Sequence, residues 1–372
     1  MGKIKRAIVS VTNDLSTDNR VNKLCLLLHE NGFRVQLIGR KLSESKALNR
    51  PYQTKRMRLI FNKGGLFYAE YNLRLFFYLL FKRSHILVSN DLDTLLANYA
   101  VYRFKPNSKL FYDSHEYFTE VPELINRKRV RGIWKGIEAW ILPKLSNVYT
   151  VNESIAEAYK NQYKVGFSVV RNIPPLWSKE KVPTKRDLGI PENKFIVIIQ
   201  GAGININRGA EEAVLAMKQL KEVCLLVIGS GDVVPTLKQM VMEEELSQKV
   251  LFFDKMPYEK MMFYTSHADL GLAIDKPICL NYKFALPNKV FDYMHASTPI
   301  LCTKLDEIEK LVLKYKIGHV IEEFSVDNLV KALNVLISDG EQLNEMSKNC
   351  VEAAKVENWE SESLELKKIY GL

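Results

Sequence analysis

Short runs rich in β-branched residues alternate with amphipathic segments over the whole length of this 372-residue chain. Such alternation is typical of βαβ units, in which a helix crosses over between parallel strands of one sheet. The pattern predicts strands at residues 6–11, 34–38, 85–89, 109–112, 147–151, 168–170, 195–200, 223–228, 250–253, 270–274, 299–302 and 319–321. The predicted fold class is therefore α/β with parallel sheets.

The length of the chain favours two domains, because a single hydrophobic core rarely serves more than about 300 residues. Residues 171–183 contain three prolines and show neither a helical nor a strand period, as expected of a linker. We predict an N-terminal domain at 1–172, a linker at 173–184 and a C-terminal domain at 185–356. A last helix, at about 357–372, is expected to pack back on the first domain.

The composition is that of an ordinary soluble protein, with 47% hydrophobic and 26% charged residues. The first residues run straight into a predicted strand without a signal peptide, and apolar runs such as 75–81 are much shorter than the ~20 residues that span a bilayer. We therefore expect a cytoplasmic protein without a transmembrane helix. The five cysteines form no CxxC pair and are predicted to be reduced core residues.

Positive charge is concentrated in the first half of the chain. Residues 1–172 hold 29 Lys and Arg against 14 Asp and Glu, a net charge of +15, whereas the remainder holds 24 against 29, a net charge of −5. This asymmetry suggests an anionic partner, namely a membrane surface, a phosphorylated acceptor or nucleic acid. The basic run 127–131, followed by Ile133, Trp134 and Trp140, suits an anionic membrane surface, and a solvated basic loop explains the same residues equally well.

Candidate site residues follow the predicted strands, because ligands of open parallel sheets bind beyond the carboxyl ends of the strands. After the strand at 195–200 comes a glycine-rich turn that contains Gly201, Gly203 and Arg208 and opens a helix at about Gly209. Glycines let the backbone approach a phosphate, and Arg208 adds a forked cationic donor beside a helix N-terminus. Tight packing requires the same glycines, so phosphate binding and packing are both open.

The segment 285–301 is the second candidate. Pro287 suits the first helical turn, so that Asn288, Lys289 and free amides point out of the helix start. Asp292, one turn later, is placed to hydrogen-bond ribose hydroxyls, as acidic residues do in other nucleotide-binding folds. The alternative is a capped amphipathic helix in which Asp292 only complements the helix dipole.

The third candidate leaves the strand at 109–112 and presents Asp113, His115 and Glu116. A histidine between two carboxylates at the carboxyl end of a strand is a candidate functional group, whereas the other five histidines are interpreted as structural.

The fourth candidate, residues 89–94, places Asn90 and Asp91 at the end of a strand and Asp93 near the start of a helix. Helix capping is the competing explanation for these side chains.

Together these segments resemble the retaining glycosyltransferases of family 4, which have the GT-B fold. The resemblance rests on residues 13–21, 89–96, 112–116 and 151–154 in the first half, and on 207–212, 228–231 and 286–294 in the second. The last of these, LPNKVFDYM, is the most specific. The resemblance covers nearly the whole chain and implies two Rossmann-like domains that face each other across a cleft, with the nucleotide-sugar donor on the C-terminal domain and the acceptor on the N-terminal domain.

The resemblance also implies roles for individual residues. Arg208 matches the basic residue that contacts the donor diphosphate, Asp292 the second acidic residue of an E-x7-E motif that holds the ribose, and His115 the histidine that contacts the transferred sugar. The chain has Phe284 where the motif has its first glutamate, and Ala202 where a further basic residue is usual.

We therefore assign catalysis to His115 and Arg208. Donor binding is assigned to a set in which Lys289 and the backbone around Asn288 supply further phosphate contacts: Gly201, Gly203, Arg208, Asn288, Lys289 and Asp292. The acceptor side is assigned to Asn13, Arg20, Asp91 and Glu116.

The expected reaction moves a sugar from a nucleotide-diphosphate sugar to a glycan or lipid-linked acceptor with retention of configuration, in surface polysaccharide synthesis. The acceptor attacks an oxocarbenium-like centre from the face that the diphosphate leaves, and no carboxylate pair demands a covalent intermediate. No metal and no other cofactor is expected, because no DxD-like aspartate pair stands at a suitable position. The basic first half is compatible with a peripheral position at the inner face of the cytoplasmic membrane.

Two other functions remain as alternatives. A nucleotide-sugar epimerase of related two-domain shape would need no separate acceptor. A nucleic-acid-binding protein is favoured by charge alone, and the chain lacks both an aromatic RNA-binding signature and a helix-turn-helix pattern, so no nucleic-acid partner is expected.

Overall fold

The computed structural model describes residues 4–16, 18–178 and 181–372. Thr17 of the motif at 13–21 and residues 179–180 of the predicted linker lie outside the described residues. The chain divides into two compact units, of which the first comprises Met1–Asn172 and Ser363–Leu372 and the second comprises Ile173–Glu362.

The first unit is built on one parallel sheet. Its strands are β1 (Arg6–Asp14), β2 (Arg34–Arg40), β3 (Gln53–Met57), β4 (Ile86–Asn90), β5 (Lys109–Ser114), β6 (Asn147–Thr150) and β7 (Ser168–Val169). In the described residues, the strands lie side by side in the order β3-β2-β1-β4-β5-β6-β7, so the strand order reverses between β1 and β4. Every residue of β4 is buried, as expected for a central strand covered on both faces.

Helices connect these strands: α1 (Asn19–Glu30), α2 (Gly64–Leu80), α3 (Leu92–Arg103), α4 (Pro122–Ile125), α5 (Lys128–Ile141) and α6 (Glu153–Tyr163). Helix α1 begins where the Asp18 side chain accepts from the Val21 amide, and it ends before Gly32, whose φ of 80° suits glycine. Its buried face includes Val21, Leu24 and Leu28, which are spaced three and four residues apart and so lie on one side of the helix.

The second unit is built on another parallel sheet, whose strands are β8 (Phe195–Gly201), β9 (Val223–Gly229), β10 (Val250–Phe253), β11 (Leu270–Ala273), β12 (Ile300–Thr303) and β13 (Gly318–Ile321). Their order in the described residues is β10-β9-β8-β11-β12-β13, which reverses between β8 and β11. Apolar clusters cover both faces, with Val197 on one side of β8 and Ile196 and Ile198 on the other.

The helices of the second part of the chain are α7 (Ala210–Ala216), α8 (Val234–Glu243), α9 (Tyr258–Thr265), α10 (Leu280–Lys283), α11 (Asn288–His295), α12 (Asp306–Tyr315), α13 (Val326–Ser338), α14 (Gly340–Ala354) and α15 (Trp359–Tyr370). From Ser363 onwards, α15 belongs to the first unit. There the Tyr370 ring stacks on Phe111 at 4.2 Å between centroids, and its hydroxyl lies 3.1 Å from that of Tyr149.

The α/β fold class with two parallel sheets is confirmed, and the predicted strands are found to within three residues at their ends. The sequence does not predict β3, because this edge strand carries QTKRM, in which only Met57 is buried. All five cysteines are buried and free, as predicted. Among the described residues, no helix combines the length and the hydropathy needed to span a membrane.

Candidate active site

The glycine-rich turn after β8 lies at the switch point of the second sheet, where ligands of open α/β sheets bind. A Cβ at Gly229 would lie 1.9 Å from the carbonyl oxygen of Gly201, and a Cβ at Gly209 would lie 2.3 Å from that of Ile274. Packing therefore requires glycine at both positions. At Gly203, a Cβ would meet no atom within 4 Å, so close packing does not explain this glycine.

Two cations converge on one buried carboxylate beside this turn. Asp275, just beyond β11, is fully buried; its Oδ2 lies 3.1 Å from Nη1 of Arg208 and its Oδ1 lies 3.4 Å from Nζ of Lys289. The Arg208 guanidinium also lies over the ring of Tyr282, 4.0 Å from its centroid. Burial acts to lower the pKa of Arg208, but Asp275 outweighs it and the pKa is raised. Arg208 and Lys289 thus form a fixed cationic pair.

Helix α11 begins at the same edge of the sheet. Its N-cap is Pro287, no side chain caps its first turn, and Asn288 at its first position is exposed. The free amides and the helix dipole add positive potential where Lys289 lies, so this region of the second unit suits an anion.

Asp292 lies one turn into α11, and its side chain is held by neighbours. The Tyr258 hydroxyl donates to Oδ1 at 2.9 Å, and the Gln200 amide donates to Oδ2 at 3.2 Å. Gln200 is itself fixed by the Thr265 hydroxyl at 2.5 Å. The carboxylate therefore has one set orientation, which a role as a mere complement to the helix dipole would not require.

In the first unit, His115 lies between two carboxylates at the carboxyl ends of β4 and β5. Its Nδ1 is 3.3 Å from Oδ2 of Asp91, and its Nε2 is 3.2 Å from Oδ2 of Asp113. The amide oxygen of Asn90 also lies 3.2 Å from Nε2. Arg20 forms a forked ion pair with Asp113 at 2.7 and 3.1 Å, and its third contact is the Val170 carbonyl.

These contacts set the charge of the cluster. Burial alone would lower the pKa of His115, but the carboxylates of Asp91 and Asp113 raise it to about 9. Burial acts to raise the pKa of Asp113, and Arg20 and His115 outweigh it to hold that pKa at about 2. A pKa of about 9 favours the imidazolium form of His115 at neutral pH, with its two ring N–H groups facing the carboxylates of Asp91 and Asp113.

The capping interpretation of Asp91 is wrong, because its side chain makes no capping bond to α3. Instead its Oδ1 accepts from the backbone N–H of His115 at 2.8 Å, and its own N–H donates to the Asp113 carbonyl. Asp91 has a φ of 57°, which a residue with a Cβ rarely adopts. Asp93 lies in the first turn of α3, where burial raises its pKa to about 8 and Thr12 donates to it at 2.5 Å.

The remaining predicted residues are placed differently. Asn13 is exposed near the end of β1, and its amide contacts Asp18 at 3.2 Å. Glu116 follows His115 and lines an apolar groove of the first unit. Arg20 is paired with Asp113, and its assignment to the acceptor side stays a prediction.

Sequence reasoning missed Asp275, Tyr258 and Tyr282. Asp275 is the first residue after a predicted strand. The expectation that ligands bind beyond the carboxyl ends of the strands could therefore have identified it. Tyr258 and Tyr282 lie on short helices, and only the tertiary fold brings them to Asp292 and Arg208.

Within the described part of the chain, His, Cys, Asp and Glu side chains do not gather in groups of three or more that could hold a metal ion. That the reaction needs no metal stays a prediction.

Residues 181–355, which cover most of the second unit, match the family model of the group 1 glycosyl transferases. The matched segment includes the glycine-rich turn, Arg208, Asp275, Lys289 and Asp292. Among curated proteins, no sequence matches this chain.

Solved structures match over the whole chain. A sucrose-phosphate synthase from Thermosynechococcus elongatus is 18% identical over 99% of this chain and 98% of its own, with a TM-score of 0.81. HepE from Anabaena, in complex with UDP-glucose, is 15% identical over 99% and 100%, with a TM-score of 0.75. WaaG, a glycosyltransferase involved in lipopolysaccharide biosynthesis, is 13% identical over 98% of both chains, with a TM-score of 0.70. The chain thus has the GT-B fold of glycosyltransferases.

Proposed function

We propose that this protein is a glycosyltransferase that holds the diphosphate of a nucleotide-sugar between Arg208 and Lys289. The observation that carries the proposal is the convergence of these two cations on the buried carboxylate of Asp275, at the switch point of the sheet. One carboxylate against two cations leaves net positive charge beside the N-terminus of α11, which is the setting that anionic phosphates prefer. HepE was solved with UDP-glucose, a donor of this class.

The nucleoside is assigned to Asp292, whose carboxylate would accept from ribose hydroxyls. Aspartate is one methylene shorter than the glutamate of the family motif. Tyr258 and Gln200 support the proposal because they fix the orientation of this shorter side chain.

In the proposed reaction, the bond between the sugar and the diphosphate breaks and the electron pair leaves with the diphosphate. Arg208, Lys289 and the first amides of α11 stabilise that charge, an electrostatic effect that is often the largest single contribution to catalysis. The acceptor hydroxyl attacks from the same face, which retains the configuration, and its proton passes to the departing diphosphate oxygen. Following the family resemblance, His115 is assigned to the transferred sugar, where it contributes the positive charge of its imidazolium, since both ring N–H groups face the carboxylates of Asp91 and Asp113.

The acceptor is proposed to be a glycan or a lipid-linked sugar at the inner face of the cytoplasmic membrane, in surface polysaccharide synthesis. WaaG, which shares the fold, takes part in lipopolysaccharide biosynthesis. The exposed basic residues that begin α5, Arg127, Lys128 and Arg129, support a peripheral position, as does Trp140, which is 52% exposed.

Two residues expected at that surface are corrected by the structure. Trp134 is buried, with its ring 5.2 Å from those of Tyr68 and Phe118, so it cannot anchor the protein in a membrane interface. Arg131 is paired with Glu120 and joins α5 to the turn after β5.

A thermal-shift screen with nucleotide-sugars tests the proposal. At least one donor should raise the melting temperature of the wild type, because a ligand that binds only the folded state stabilises it. The shift should vanish in Arg208→Ala and persist in Arg186→Ala, which removes an exposed arginine from the same unit. If no nucleotide-sugar shifts the wild type, or if Arg208→Ala responds equally, the donor site is not where we place it.

A further inference from the structure

The first unit contains an apolar groove of about 970 Å³, lined by residues from α2, α3, α4, α5 and the turns after β5. This volume lies at the top of the range of about 300–1,000 Å³ that is common for ligand sites. In its described lining, charged side chains come from Glu116, Glu123 and Arg127, and most of the remainder is aliphatic or aromatic.

The groove offers few hydrogen bonds to a ligand. The side-chain amide of Asn72, which lines it, donates to the carbonyls of Tyr68 and Asp93 at 2.9 and 2.7 Å, and its oxygen accepts from the Ala97 amide. A sugar or nucleotide needs several convergent polar groups, and this lining does not supply them. Hydrocarbon is the chemistry that fits.

The residues at the rim of the groove indicate which head group is attached to the hydrocarbon. Leu73 and Ile133, both in the lining, are 60% and 65% exposed, and exposed apolar side chains that adjoin one another often mark a binding surface. Arg127 lies in the same lining, and exposed Lys128 and Arg129 follow it. At the start of α5 these three cations outnumber the nearby Glu123 and complement a phosphate at the head of a lipid, while Glu116 lines the groove on the side of His115.

Glu116 connects the groove to the acceptor-side cluster. It is the residue after His115, which lies between Asp91 and Asp113, and it is also part of the groove lining. We propose that the groove binds the hydrocarbon chain of a phosphate-bearing lipid acceptor, an assignment that rests on the proposed function. The hydrocarbon chain of the lipid lies among the side chains of α2, α3 and α5, and the phosphate of the lipid lies near the start of α5.

Calorimetric titration with octyl and decyl phosphate, each below its micelle concentration, tests the proposal. Each methylene that becomes buried should tighten binding about fourfold, so decyl phosphate should bind roughly fifteenfold more tightly than octyl phosphate. Leu73→Gln should weaken the binding of decyl phosphate about tenfold. Leu66→Gln is the matched control, because Leu66 is on the same helix, is 61% exposed and does not line the groove. Equal affinity for both probes, or equal effects of the two substitutions, would overturn the groove assignment.

A second measurement locates the hydrocarbon chain of the bound ligand. Decyl phosphate with a brominated chain should quench tryptophan fluorescence through Trp134, which lines the groove, so Trp134→Phe should lose the quenching and Trp140→Phe should keep it. The reverse would place the chain on the outer surface of α5 and overturn the proposal. The nucleotide-sugar screen separates the two proposals: a protein that binds a donor but shows no chain-length effect retains the proposed function without the groove. Chain-length dependence without any donor binding would overturn the acceptor role of the lipid instead.

Discussion

Two buried carboxylates hold the cationic side chains of the candidate site in place. Asp113 accepts the forked guanidinium of Arg20 and the imidazole of His115, and Asp275 joins Arg208 to Lys289. Burial makes each carboxylate costly to leave unpaired, so each fixes its cations more firmly than a surface ion pair would. The chemistry that we propose depends on cations placed in this way.

The charge of His115 gives a prediction about pH. Its pKa of about 9 lies above the ordinary 6.5, so protonated His115 stabilises the fold fully below about pH 6.5, and this contribution is lost as the pH rises through 9. Turnover that needs the imidazolium should therefore fall near pH 9. Asp91→Asn removes one of the two anions and should move that fall down by about 1 to 3 pH units.

The pH–rate profile of kcat measures this shift. Asp91→Asn keeps an oxygen that can accept from the His115 amide and leaves the pair of Arg20 and Asp113 intact, so the fold should survive. Glu44→Gln, which removes an exposed carboxylate of the same unit, serves as the control. An alkaline limb at the same pH in the wild type and Asp91→Asn would show that His115 does not govern turnover.

At the scale of elements, packing requires some of the glycines at the switch point of the second sheet, whereas the Cβ position of another is open. Gly229 has a φ of 130° and its Cβ position is filled by the Gly201 carbonyl, whereas the Cβ position of Gly203 is open. Gly229→Ala should lower the free energy of unfolding by about 3 kcal/mol, from backbone strain together with the clash. Gly203→Ala should cost less than about 1 kcal/mol but weaken the binding of a nucleotide-sugar, because the added methyl group holds the phosphate off the backbone.

Urea unfolding and donor titration of the two variants separate these effects. If Gly203→Ala binds the donor as tightly as the wild type, the turn is a packing device throughout and the phosphate lies elsewhere.

The elements that the sequence predicts well are those whose residues are constrained by burial. Central strands such as β4, β5 and β8 contain runs of buried apolar residues, and the ends of β5 and β8 lead to His115 and Arg208 because ligands collect at the carboxyl edge of a sheet. Strand β3 escapes prediction because hydrogen bonds to β2, rather than an apolar face, keep it extended. The hydrogen-bond partners of the site residues are not predicted for a similar reason. The sequence around Tyr258 does not indicate a hydrogen bond to the carboxylate of Asp292, 34 residues away.

At the scale of the whole molecule, residues 1–172 carry a net charge of +15 and the remainder carries −5. Vesicles of phosphatidylcholine with phosphatidylglycerol should therefore bind the protein at low salt and release it at high salt. Neutralising Arg127, Lys128 and Arg129 together to glutamine should weaken this binding at least about tenfold, since each basic residue near the surface contributes roughly 1 kcal/mol.

Sedimentation of the protein with the vesicles measures the binding. Neutralising Lys46, Lys55 and Arg58 removes the same charge from exposed positions on and around β3 and should have little effect. A wild type that ignores anionic vesicles at low salt would contradict the peripheral membrane position and favour a soluble acceptor.

The most direct test of the central claim is the release of nucleoside diphosphate when the protein is incubated, without acceptor, with a nucleotide-sugar that it binds. Water then takes the place of the acceptor, so the wild type should release nucleoside diphosphate and free sugar slowly. Arg208→Ala should lower this rate about a hundredfold, because one charged contact to the leaving diphosphate is lost, and Arg186→Ala should leave it unchanged. Conversion of the donor into a second nucleotide-sugar epimer, or equal rates in the wild type and Arg208→Ala, would contradict the account.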